Sequence, residues 1–95
     1  MEYISKIWLQ KPTALNEIAY ILGLDEITLF STEDIVGTIK YKDKTILVLI
    51  HLSWGEIDRV QKIKVYTQYV ADEDTDELDN IFVNRLRDAK LLIDT

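Results

Sequence analysis

The chain has one histidine and no cysteine, which removes disulfides, thiolate metal sites and cysteine nucleophiles together. His51 lies in an apolar run, with no Ser, Cys or second His at a spacing that would pair with it. A general base needs a partner to orient it, and a metal-bound imidazole here would depend on carboxylates alone. His51 is therefore expected to be structural, a core or interface histidine donating to a carbonyl. The acids Asp72, Glu73, Asp74, Asp76 and Glu77 alternate as the opening of a calcium loop does. Glu77 stands where such a loop needs Gly, however, and Val83 where it needs its closing bidentate acid. No metal and no cofactor is expected; the acids read as a helix N-terminus with a solvated face. Lys40, Lys42, Lys62 and Lys64, with Tyr66, form an alternating basic set. On one sheet face they would suit an anionic strand or an acidic protein surface; otherwise they are edge lysines that discourage aggregation.

These side chains have to be placed by short elements. Residues 45–54 are apolar at both alternating sets of positions, Ile46, Val48, Ile50, Leu52 and Trp54 against Leu47, Leu49 and His51. A strand of that kind needs cover on both faces. Residues 35–42 alternate and lead through Lys42-Asp43-Lys44 into 45–54, which predicts a hairpin. Residues 59–70 read as a third strand with one wet face, leaving 45–54 in the middle of the meander. Residues 3–10 read as an N-terminal strand. Residues 27–30 fit either a short strand or the entry to a turn.

Two helices are expected. About 13–22 carries Leu15, Ile18, Ala19 and Leu22 on one face, with Thr13 as N-cap and Gly23 as the left-handed residue after the C-terminus. About 75–92 opens on a capping box, Asp74 with Glu77, and carries Leu78, Ile81, Phe82, Leu86, Ala89 and Ile93 as its stripe. The expected whole is a single α+β domain over residues 1–95, mainly antiparallel, packed by both helices. The second apolar face of 45–54 would be covered either by a helix crossing over or by a homodimer partner, with the dimer favoured.

Ninety-five residues at 47% hydrophobic and 29% charged fit one folded domain, which at this length buries about 60–65% of its unfolded surface. The net charge of −6 is uneven: −4 over residues 1–39, +3 over 40–64 and −5 over 65–95. Net acidity opposes non-specific binding to nucleic acid and anionic lipid, so nucleic acid is expected only through the 40–64 segment. No apolar run approaches the roughly 20 residues that span a bilayer, and the start lacks the pattern of a secretory leader. A reducing cytoplasm is the expected location.

Leu15 to Leu24 has the cadence of the first half of a helix-turn-helix, with Glu-Ile-Ala and Leu-Gly. The next segment, Asp25 to Ile35, should then be the recognition helix, but it has four acids and no base. Phosphates would repel it, so the first helix is assigned to core packing. With no paired nucleophile and base and no Gly-rich phosphate loop, the chain is expected to be non-enzymatic. The leading expectation is a small acidic protein that binds and inhibits a basic, nucleic-acid-binding protein by mimicking phosphates. It would do so through Asp25, Glu26 and the 72–77 acids, much as small phage anti-defence proteins act, an analogy of size and charge. The alternative is a nucleic-acid-binding or regulatory module using the lysines and Tyr66.

Overall fold

The structure, a computed structural model, describes residues 2–54, 60–68 and 70–93. Its elements run β1 (Glu2–Trp8), α1 (Leu15–Ile21), β2 (Asp25–Leu29), β3 (Asp34–Tyr41), β4 (Lys44–Trp54), β5 (Gln61–Thr67) and α2 (Asp72–Asp88). The strands form one antiparallel sheet in the order β1-β5-β4-β3-β2, the α+β architecture expected from the sequence. The doubly apolar strand β4 is central. Arg59 and Tyr69, at the ends of the expected third strand, lie outside the described residues.

The β3–β4 hairpin closes on two residues, Lys42 and Asp43, both left-handed at φ 48° and 62°, with Tyr41 opposite Lys44. This is the primed turn whose twist matches that of the flanking strands. The undecided 27–30 segment falls within and just beyond β2, a five-residue edge strand. A register irregularity at Glu26 (φ 51°) interrupts its pairing with β3.

Both helices pack on the same face of the sheet. Ile35 and Ile39 of β3, Ile46, Val48 and Ile50 of β4, and Ile63 and Val65 of β5 meet Ile18, Ala19 and Leu22 from the α1 side and Leu78, Phe82 and Leu86 of α2. The helices are also tied to each other. Arg85 Nη1 donates to the Leu22 carbonyl at 2.6 Å, satisfying an orphan acceptor just past the end of α1. Gly23 follows at φ 80°, the left-handed position its sequence context called for.

Three local expectations are corrected. The N-cap of α1 is Ala14, not Thr13. Thr13 is buried, and the Gln61 side chain clamps its backbone, accepting from its N–H at 2.6 Å and donating to its carbonyl at 2.8 Å. The 74/77 capping box does not form. Ala71 is the N-cap, α2 already begins at Asp72, and the Asp74 carboxylate turns to the β3–β4 hairpin instead. At the other end α2 stops at Asp88 rather than about 92, because Lys90 turns left-handed (φ 61°) and sends Leu92 to bridge Leu9.

The expectation that both faces of β4 are covered fails within this chain. Among the described residues the second face carries no helix. Leu47 is 41% exposed, and Leu49 and His51 are half-buried. A seven-residue and a seventeen-residue helix have length enough for one face; moving either across would uncover Val48 or Val65.

Candidate binding surface on the open sheet face

A bulge in β1 decides what this surface presents. Tyr3 pairs with Tyr66 and Ser5 with Val65, so Ile4 is the extra residue. Both Ile4 and Ser5 are buried toward the helices, where Ser5 donates a hydrogen bond to Asp79 of α2. Tyr3 is thereby shifted onto the side of Lys6 and Trp8, since one extra residue reverses the alternation. Opposite them on β5 stand Tyr66, Lys64 and Lys62.

Trp8 is the centre of the resulting cluster. It is 37% exposed, and the ammonium groups of Lys6 and Lys62 lie 5.4 and 5.2 Å from its ring. Both are within cation–π range. Along the same two strands, Tyr3 and Tyr66 meet edge to face, with ring centroids 5.7 Å apart at 73°. Burial, then the neighbouring Tyr66 and Asp79, push the Tyr3 phenol above its ordinary range, so it stays neutral. Lys64 lies between the aromatic groups, in register with Lys6 on one side and His51 on the other.

Beyond β5 the same face changes character. His51 Nδ1 is 2.7 Å from Asp34 Oδ1, a side-chain partner across β3–β4 rather than the expected carbonyl. Ser53 follows His51 by two residues on the same side of β4, yet its Oγ is buried with no hydrogen-bond partner. The Asp–His pair therefore does not extend to that hydroxyl as a nucleophile relay would require. Leu47, Leu49 and Val36 supply apolar area, and Phe30, whose N–H bonds the Asp34 carbonyl, is 70% exposed at the edge.

The structure separates the basic residues that the sequence grouped. Lys62 and Lys64 share the open face with Tyr66. Lys40 shares it too, but opposite Thr45, whereas Lys62 is opposite Ser53. At about 3.3 Å per residue these positions lie roughly 26 Å apart along β4. Lys42 is engaged elsewhere: its Nζ is 2.7 Å from Asp74 Oδ1 and 3.5 Å from Glu77 Oε2. Lys6, Trp8 and Tyr3 were missed. The shared side of Lys6 and Trp8 was readable from their spacing, but the bulge that adds Tyr3 was not.

The acids are divided as well. Asp72, Glu73 and Asp76 are exposed at the start of α2, while Asp25 and Glu26 lie on the edge strand β2. Asp74 accepts from Lys42 and, at 3.2 Å, from the Tyr41 hydroxyl. The Lys42 hydrogen bond holds its carboxyl below the usual carboxylate range. The same hydrogen bond raises Lys42, while burial and then Glu77 push Tyr41 up to about 12.

On the helix side, an open groove of about 760 Å³ is lined by Pro12, Leu15, Ile27, Leu29, Leu52 and Trp54. It is mostly apolar. No helix among the described residues is long and apolar enough to cross a membrane. In comparison with known proteins, no family model and no curated protein matches the chain.

Proposed function

We propose that this protein is a non-enzymatic binding module whose open sheet face takes single-stranded nucleic acid on the β1–β5 half. The observation that carries this reading is Trp8 set between two lysine ammonium groups, with Lys64 and the Tyr3–Tyr66 pair next along the same strands. Bases stack on exposed rings without sequence preference, and lysines beside the rings meet the phosphates. The net charge of −6 sits mainly outside these strands and limits binding to this patch.

Titration of tryptophan fluorescence with a short oligothymidylate tests the reading. Binding is expected to quench Trp8, with a log–log salt slope of about −2 if three lysines each meet a phosphate. Trp8→Ala is expected to weaken binding about 5- to 150-fold, the range for losing one stacked base. No quenching at low salt sinks the proposal.

The exposed carboxylates Asp72, Glu73 and Asp76 favour a second reading, capture of a basic protein surface by phosphate mimicry in a reducing cytoplasm. It expects D72N/E73Q/D76N to lose the partner while oligonucleotide binding is unchanged. Equal partner capture by that variant at low salt removes it.

A further inference from the structure

We infer that the open sheet face is self-complementary and that a second copy of this chain covers it, about a two-fold axis running along β4. β4 divides the face into unlike halves. On the β5 and β1 side stand Lys64, Tyr66, Lys6 and Trp8; on the β3 and β2 side stand Asp34, Val36 and Phe30. β4 itself contributes Leu47, Leu49 and His51 along the seam.

A two-fold axis parallel to β4 keeps each residue's height along the strand and exchanges left for right. β5 of one copy then lies over β3 of the other. Lys64 and Asp34 occupy one row, both in register with His51, so each Lys64 meets Asp34 of the second copy. Tyr66 and Val36 are both in register with Leu49, so they meet in the same way, with Leu49 on Leu49 between them. Lys6, at the far end of the Lys64 row, comes over the exposed Phe30 ring of the other copy. Like charges never face each other across Lys64 and Asp34, and the charge pattern selects this alignment.

The size also suits a dimer. Five strands at about 4.8 Å spacing and seven residues at about 3.3 Å rise give a footprint of roughly 550 Å². Corrugated side chains raise its accessible area toward the ~800 Å² that each partner of a specific interface buries. Aligned sheet packing turns the two sheets about 30° from parallel, which displaces the Lys64 and Asp34 rows by only a few ångströms, within a lysine's reach.

The interface covers Trp8, Tyr66 and Lys64, so self-association and oligonucleotide binding compete. The dimer stands without the nucleic-acid reading; only this competition rests on it.

Sedimentation equilibrium at 0.15 M salt tests the dimer on the whole chain, since at that ionic strength the repulsion between two −6 charges is screened beyond about 8 Å. The protein is expected at twice its 11.1 kDa mass at tens of micromolar. Lys64→Asp and Asp34→Lys are each expected to weaken the dimer at least tenfold. An equimolar mixture of these two variants is expected to re-form it, because both cross-copy contacts are then opposite in charge again. Leu49→Lys, on the axis, is a second way to obtain a monomer should Asp34→Lys fail to fold. A wild-type monomer at 100 micromolar, or variants that associate like wild type, overturns the proposal. Added oligothymidylate is expected to convert the dimer into a protein–oligonucleotide complex of monomer stoichiometry. A dimer with no oligonucleotide binding sinks only the nucleic-acid reading, and a monomer that binds oligonucleotide sinks only the dimer.

Discussion

Val48 and Leu49 are neighbours in β4 and nearly the same chemically, yet they belong to different regions. Val48 is fully buried under the helices, whereas Leu49 is half-buried on the opposite face. The covered face is mainly apolar, with Ser5, Gln61 and Thr67 as its buried polar residues, and is matched by the apolar stripes of α1 and α2. The open face mixes leucines with rings, lysines and an Asp–His pair, and no element of the described chain matches it. Apolar area that a fold leaves uncovered adds little to its own stability, so its side chains can be chosen for what they bind.

The strongest test of that contrast is a pair of truncations. Phe82→Ala removes a fully buried ring from α2 and is expected to cost about 3–5 kcal/mol, a large share of the roughly 5–14 kcal/mol that a domain of this size has. Leu49→Ala is expected to cost about 1 kcal/mol or less in the monomer, measured by urea unfolding at sub-micromolar protein. Equal losses at the two positions would show that the open face is part of the monomer's core after all.

Gly37→Ala sharpens the contrast within one strand. An added Cβ would stand 2.9 Å from Leu24 Cβ and 3.0 Å from the Asp25 carbonyl, where the chain passes from α1 into β2. Backbone yields poorly, so a loss of about 1–3 kcal/mol is expected. Thermal melts would read this as about 4–8 °C per kcal/mol. The adjacent open-face change Val36→Ala is expected to be milder, and a reversed order would contradict the assignment of faces. Gly23→Ala ranks next, since a Cβ at φ 80° is strained and would meet Arg85 Nη1 at 2.6 Å.

The fold was legible because alternation carries it. In β3 and β5 burial alternates residue by residue, and in β4 it does so through Ile50, with Ile46, Val48 and Ile50 buried as their shared parity predicts. The side on which each helix would lie was not legible, because an apolar strand face looks the same whether a helix or a second molecule covers it. β2 was hidden by its length and by the break at Glu26. Half of the candidate surface was readable: Lys62, Lys64 and Tyr66 follow from the period of β5. Lys6 and Trp8 share a side by spacing alone, and only Tyr3 depends on the bulge in β1, which no residue type marks. Grouping Lys40 with Lys62 failed for a different reason, because sharing a face says nothing about distance along it.

The smallest expected effect concerns the strap that fastens the β3–β4 hairpin to α2, on the covered side of the sheet. Asp74 accepts from both Lys42 and Tyr41, and each partner's protonation moves in the sense that favours the contact. A carboxyl held below its ordinary 3.8 adds stability that is complete above that value and is lost as pH falls through its folded value. Lys42, raised above its ordinary 10.5, contributes fully below that value and loses the contribution at still higher pH. Tyr41 follows the same sign, contributing below its ordinary 10.0 and losing it as pH rises through about 12. The strap is therefore whole from about pH 4 to 10 and opens first on the acid side. Asp74→Asn keeps an acceptor but removes the charge. Its urea midpoint is expected to lie slightly below that of wild type at pH 7 and to converge with it toward pH 3. Urea midpoints of wild type and Asp74→Asn that stay equally far apart from pH 7 down to pH 3 would mean that acid does not act through the hairpin–helix junction.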